Sequence, residues 1–172
     1  LEEGAYCVVT LHRPSNVDTK EGLKNILGLF EKLAEHISIF FPMHPRTKKM
    51  LESFGLEARA RAIERLLIVE PLGYLDFLRA MGSAKFILTD SGGIQEETTL
   101  LGVPCITMRD NTERPVTVEK GTNILAGTDV GNVFTACESV LAGRIKHGSI
   151  PPLWDGHAAE RIKNIVLEKL SV

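Results

Sequence analysis

Hydrophobic positions along this chain switch repeatedly between two periods. Short apolar runs at residues 5–11, 38–42, 66–69, 85–89, 104–108 and 122–125 predict six strands. Between them the spacing turns helical. Over 18–37, Leu23, Ile26, Leu27, Phe30, Leu33, Ala34 and Ile37 fall on one face, with Asp18 as the expected N-cap and Glu21 three residues on. A helix over 45–54 opens at Pro45 and stops at Gly55, and a short charged helix or turn follows over 57–65. Further helices are predicted over 74–81, ended by Gly82, over 93–101, closed by Gly102, and over 130–142. Pro151 and Pro152 mark 143–155 as a loop. A terminal amphipathic helix over 156–170 uses Ala159, Ile162, Ile165, Val166, Leu167 and Leu170.

Strand and helix alternate without a repeat. That predicts a parallel sheet, covered by helices on both faces through right-handed crossovers. Near-continuous apolar strands agree, since strands buried on both faces need no polar side. The expected fold class is therefore α/β: one Rossmann-like, doubly wound, three-layer domain over residues 1–172, with strand order 3-2-1-4-5-6. In that order strands 1 and 4 are neighbours, and ligands bind where their C-terminal ends part. His12 and Arg13, after strand 1, should then face Asp90, Ser91, Gly92 and Gly93, after strand 4.

Composition narrows the function classes. Hydrophobic residues make up 44% of the 172, and the mean hydropathy is +0.04, so a core can form unaided. The net charge is -2 and the pI near 6.2, which argues against nucleic acid or a polybasic membrane contact. Seven Phe, one Trp and two Tyr are too few for base-stacking platforms. Cys7, Cys105 and Cys137 are widely spaced and odd in number, so they read as small buried hydrophobes in a reducing, cytoplasmic setting. The opening Leu-Glu-Glu-Gly, without an initiator Met and directly before a strand, is expected to begin a piece of a longer protein.

The most informative stretch is Leu88-Thr-Asp-Ser-Gly-Gly-Ile-Gln-Glu-Glu97. A strand runs through Asp-Ser-Gly-Gly straight into a helix. The glycines lack Cβ, so a ligand can reach the backbone, and the free N–H groups at a helix start favour an anion. Ser91 can add a hydroxyl. The turn alone equally fits an ordinary N-cap by Asp90 or Ser91; its place at the switch point selects a diphosphate. Glu96 and Glu97 either complement the helix dipole or accept hydrogen bonds from a ribose diol, and Glu97 is taken for the second role. Arg109 and Arg114 either neutralise a leaving diphosphate or pair with Asp110 and Glu113 in a solvated loop. His12 is singled out by its position, and Phe77 could stack on a base. No G-x-G-x-x-G follows strand 1, no G-x-x-x-x-G-K-[ST] occurs, and no ligand cluster suggests a metal, so no cofactor is expected.

This stretch, with Gly102-Val-Pro104, Arg109-Asp-Asn-Thr-Glu-Arg-Pro115 and Gly121-Thr122, closely resembles the UDP-N-acetylglucosamine 2-epimerases. Thr10-Leu-His-Arg13, Glu70-Pro-Leu-Gly-Tyr-Leu-Asp-Phe77 and Asp155-Gly156 match as well. The resemblance implies the C-terminal half of a two-domain GT-B enzyme, homodimeric when whole, whose N-terminal half is missing. It implies that Ser91, Gly92 and Gly93 hold phosphates, Glu97 the ribose, Arg114 the diphosphate and Phe77 the uracil. His12 would reach the reacting region. The implied reaction inverts C2 of UDP-GlcNAc to give UDP-ManNAc, for cell-surface polysaccharide biosynthesis, by elimination and re-addition of UDP. The family's catalytic carboxylates lie on the missing half, so this piece alone should be inactive. Many bacterial members read His-Arg-Arg-Glu-Asn where this chain reads His12-Arg-Pro-Ser-Asn16. In some of them positions matching Arg13 and His44 bind a second, activating UDP-GlcNAc. A GT-B glycosyltransferase and a non-catalytic nucleotide-sugar-binding module are the alternative readings.

Overall fold

The apolar runs have two faces to cover, and the computed structural model, which describes residues 2–170, shows how they do it. The strands are β1 (Tyr6–Thr10), β2 (Ser38–Pro42), β3 (Leu66–Val69), β4 (Phe86–Thr89), β5 (Cys105–Thr107) and β6 (Asn123–Leu125). They form one parallel sheet in the order β3-β2-β1-β4-β5-β6, as the alternation predicts. Along β1, Cys7 and Val9 enter one core and Tyr6 and Val8 the other. The first core packs the sheet against α2 (Lys20–Ala34), α3 (Pro45–Ser53), α4 (Glu57–Arg61) and α8 (Val130–Leu141). The second, smaller one packs it against α5 (Tyr74–Gly82) and α6 (Gly92–Leu101). Phe30, Leu27 and Leu33 of α2 are almost fully buried, each contributing about 2 kcal/mol of apolar burial. Cys7, Cys105 and Cys137 are all buried and free, and burial pushes the Cys7 thiol up to about 12. No helix among the described residues is long and apolar enough to cross a membrane.

Two local expectations need correction, and a third feature, the terminal helix, forms where it was expected. Asp18 does not cap α2. Pro14 opens a short helix, α1 (Pro14–Val17), which ends at Asp18, so the cap moves one residue on. The Thr19 hydroxyl accepts from the Gly22 N–H at 3.0 Å, and Asp18 instead takes the Arg46 guanidinium at 2.8 Å. The segment after β5 is not all loop either. Pro115 fits the first helical position, and α7 (Pro115–Glu119) forms there. The terminal helix, α9 (Ala158–Leu170), buries none of its residues. Ile162, Ile165, Val166 and Leu170 stand in solvent.

The segment before α9 is a strap across the far edge of the sheet. Lys146 Nζ donates to the carbonyls of Val118 and Asn123, and the Ser149 N–H donates to Lys120 O at 2.7 Å. Gly121 is the pivot beneath it. A Cβ there would lie 2.3 Å from Thr99 Oγ1 and 2.7 Å from the Thr117 carbonyl. Gly121→Ala is therefore expected to destabilise the chain by about 2 kcal/mol, read as a lower urea midpoint. An unchanged midpoint would mean that α6 and α7 are not packed this closely.

Candidate functional site

The end of the sheet between β1 and β4 gathers the site. Thr10 and Thr89 are register partners, and the chains leaving them diverge. The Asp90 side chain does not cap α6, contrary to one of the two expectations for the turn. It points back and is fully buried under the segment that follows β1. Its carboxylate accepts from the backbone N–H groups of His12 (2.9 Å) and Arg13 (2.8 Å) and from Asn16 Nδ2 (3.0 Å). His12 Nδ1 lies 3.1 Å from its other oxygen. Burial alone would push this carboxyl up. The hydrogen bonds from His12, Arg13 and Asn16 outweigh it and hold the group below the usual carboxylate range. His12 and Arg13 thus face the turn after β4, as the strand order requires.

Ser91 occupies the N-cap position of α6, but its hydroxyl makes no capping bond. Its own N–H is taken by Thr89 Oγ1 at 3.0 Å. Among the described residues, no side chain accepts from the amides of Gly92 or Gly93, the first two residues of the helix. A Cβ on Gly93 would meet nothing within 4 Å, so the space above this turn is open. Glu96 and Glu97 were expected near the first turn. Because α6 begins at Gly92 they fall one turn further along, and the helix end carries no acidic residue of its own. An open, uncapped helix start with two glycines leaves N–H groups of the kind that favour an anion.

Two arginines approach it through Glu113, and a third lies on the flank of α6. Arg109, with its side chain nearly buried, grips Glu113 through both guanidinium nitrogens at 2.7 and 2.8 Å. Those bonds hold the Glu113 carboxyl down at about 2. Arg13 NH2 lies 3.8 Å from the same carboxylate. The local pairing expected for Arg109 and Glu113 is therefore present. Glu113 Oε2 would sit 3.8 Å from a Cβ on Gly92, so a negative group already rests beside the turn. Arg114 is not directed at the glycines; its Nε is held by Glu96 at 2.9 Å on the flank of α6. Among the described residues, Glu97 has no ion-pair or side-chain hydrogen-bond partner. Partial burial, and then the Glu96 charge, push its carboxyl up.

His44 N-caps α3, its Nδ1 accepting from the Arg46 N–H at 3.1 Å. Its ring lies against that of His12, with centroids 5.0 Å apart. Burial, then the His12 charge, pull its pKa down against the opposing pull of Asp90. Phe77, on α5, is half-buried against the second core. Leu72, Tyr74 and Leu75 near it are exposed, an apolar patch beyond the end of β3. A cavity of about 410 Å³ opens beside β3, lined by Met43, Lys48, Leu51, Ala60, Leu66 and Glu70.

Sequence reasoning missed the polar layer behind α6. Gln95 Oε1 accepts from Thr112 Oγ1 (2.6 Å) and Asn123 Nδ2 (3.0 Å), and Thr107 Oγ1 donates to Asn123 Oδ1 (2.6 Å). Thr112 Oγ1 in turn accepts the Arg114 N–H at 2.9 Å. This network pins the loop bearing Arg109, Glu113 and Arg114 to the first turns of α6. The available signal was polar residues, Thr107 and Asn123, inside apolar strands. Asn16, which ties Asp90 to Met108 O, had no such signal.

A family model described as UDP-N-acetylglucosamine 2-epimerase matches residues 1–167. The chain belongs to this family. A UDP-N-acetylglucosamine 2-epimerase from Methanocaldococcus jannaschii is 48% identical over 163 residues, covering 94% of this chain and 44% of that protein. One from Bacillus subtilis is 33% identical over 170 residues, covering 93% and 43%. The crystal structure of the Methanocaldococcus jannaschii UDP-GlcNAc 2-epimerase in complex with UDP-GlcNAc and UDP superposes with a TM-score of 0.87. It is 45% identical, with 96% of this chain and 46% of that one covered. The chain thus spans slightly under half the length of the family members it matches. A heptosyltransferase from Escherichia coli with ADP, 18% identical at a TM-score of 0.54, shares the fold alone.

Proposed function

We propose that this chain is the UDP-binding, C-terminal half of a GT-B-type UDP-N-acetylglucosamine 2-epimerase that interconverts UDP-GlcNAc and UDP-ManNAc. The observation that carries the reading is the uncapped start of α6, open at Gly92 and Gly93, with Arg13 and Arg109 gathered on Glu113 beside it and Arg114 on the flank of the same helix. The diphosphate would rest on those amides and the Ser91 hydroxyl. Arg114 would leave Glu96 to reach it, and the ribose hydroxyls would donate to Glu97. Phe77, at the exposed patch of α5, would support the uracil.

In the elimination a base takes the C2 proton. The C–H electron pair becomes the C1=C2 double bond of a 2-acetamidoglucal, and the C1–O bond breaks with its pair on UDP. Negative charge grows on the diphosphate, where fixed N–H groups stabilise it more in the transition state than in the substrate. Re-addition with protonation on the opposite face completes the inversion. Acid and base on the sugar come from the upstream half, which is also the partner for the apolar face of α9, so this chain alone is expected to bind UDP without turnover. Dimerisation of the whole protein, a cytoplasmic setting and a role supplying cell-surface polysaccharide synthesis belong to the same proposal. Activation by a second UDP-GlcNAc through Arg13 and His44 is left out of it: Pro14 and Ser15 stand in that segment, Arg13 lies beside Glu113 and His44 is engaged with Arg46.

The whole protein, incubated with UDP-GlcNAc in D2O without an acceptor, should form UDP-ManNAc carrying deuterium at C2. Retention of the C2 proton, or sugar transfer only when an acceptor is present, would favour the glycosyltransferase that the shared fold also permits. For this chain, Arg114→Ala should weaken UDP about tenfold by calorimetry, the loss of one charge-assisted contact. Glu97→Gln should weaken it similarly. Ribose donors favour the ionised carboxylate, so wild-type affinity should fall as pH drops through the carboxylate range, and the Glu97→Gln affinity should stay level. Unchanged affinities would remove these residues from the site.

A further inference from the structure

We propose that Asp90 is a positioning residue for His12: its buried carboxylate fixes the proton on Nδ1 and leaves Nε2 as the atom that meets the ligand. The inference rests on the functional reading above only for what Nε2 meets; the geometry stands without it.

Asp90 has little freedom. Its N–H donates to Thr10 O across the β1–β4 seam at 3.3 Å. Three donors besides the ring, the N–H groups of His12 and Arg13 and the amide of Asn16, hold the carboxylate from one side. Such a carboxylate only accepts, so the His12 nitrogen 3.1 Å away must be the one bearing hydrogen. The hydrogen bond at one ring nitrogen sets the state of the other. Free histidine side chains prefer hydrogen on Nε2, so Asp90 imposes the less common form.

The neighbouring imidazole is arranged the other way. His44 Nδ1 accepts from the Arg46 N–H, which puts its hydrogen on Nε2. The two rings lie 5.0 Å apart and are tilted by 31°. The charged groups around the pair are Asp90 from the β4–α6 turn, Arg46 from α3, and Arg13 with Glu113 and Arg109 beyond it. Among the described residues, the only carboxylate in hydrogen-bond reach of either ring is Asp90, and it serves His12. Nε2, across the ring from Asp90, has no partner among the described residues, and the side chain keeps 32% of its exposure. Protonated, it donates to an oxygen of the departing diphosphate. Neutral, it presents a lone pair and takes the proton back on re-addition. The proton shuttles between Nε2 and a phosphate oxygen, and the Nδ1 proton stays on His12.

The test is the ring 15N spectrum of the labelled chain without substrate, above the titration range, with His12 assigned from the signals lost in His12→Asn. The expected result is the Nδ1–H tautomer for His12 and the Nε2–H tautomer for His44. In Asp90→Asn the His12 signals should move toward the Nε2–H form. Wild-type His12 in the Nε2–H form would overturn the proposal, as would persistence of Nδ1–H in a folded Asp90→Asn chain. If that variant does not fold, the wild-type tautomer decides. Because no nucleotide is used, failure of UDP to bind would remove the functional reading and leave this result standing.

Discussion

Asp90→Ala is expected to destabilise the chain by about 3 kcal/mol, measured as the change in unfolding free energy in urea. Its carboxylate is fully buried and accepts from two backbone amides and the Asn16 side chain, with His12 Nδ1 3.1 Å from its other oxygen. Removing it leaves several buried donors without acceptors, and each unsatisfied group costs about 1–3 kcal/mol, partly offset where water enters. The substitution would also loosen the segment from His12 to Asn16, which has few other ties to β4. The pH dependence has a definite sign. Because the folded-state pKa lies below that of the unfolded chain, the ionised group stabilises the fold above the unfolded value, near 3.8. That contribution is lost as pH falls through the depressed folded value. Wild type should therefore lose stability in acid more steeply than Asp90→Ala. Parallel acid limbs would mean that the buried carboxylate is not held ionised.

Gly92→Ala and Gly93→Ala combined should have the opposite profile: an intact or slightly more stable fold, with UDP affinity reduced tenfold or more. Neither glycine has positive φ, and a Cβ at Gly93 meets nothing within 4 Å. At Gly92 the nearest atom is Glu113 Oε2, at an ordinary 3.8 Å. Alanine is a better helix former than glycine by up to about 1 kcal/mol, so the helix itself would favour the change. The glycines are thus unnecessary for the fold, and the remaining reason for them is the approach of a ligand to the backbone. Thermal unfolding and UDP titration of the double variant separate the two effects. Unchanged affinity would mean that the ligand does not approach this face of the turn.

The strand order, both cores and the meeting of His12 and Arg13 with the β4 turn were legible because they depend on periodicity and on the geometry of parallel crossovers. The direction of the Asp90 side chain was not. A carboxylate between a strand and a helix reads as a cap, and only the tertiary approach of the β1 segment offers it better donors. Thr19 displaced Asp18 at the start of α2 because Pro14 winds a turn of helix first, a one-residue shift that capping preferences do not resolve. Arg109 and Arg114 looked alike in sequence. The fold separates them: one is locked to Glu113 beside the glycine turn, and the other is parked on Glu96. The Gln95–Asn123–Thr107 layer that holds their loop joins three elements distant in sequence, so no local pattern announces it. The apolar face of α9 was readable as amphipathic, and Ile162, Ile165, Val166 and Leu170 on it stand exposed.

The most direct measurement is a crystal structure of this chain with uridine diphosphate. The account predicts phosphate oxygens within hydrogen-bond distance of the Gly92 and Gly93 amides, with Glu113 moved off the turn. A nucleotide bound elsewhere, or those amides satisfied by the protein's own side chains while UDP is bound, would contradict it.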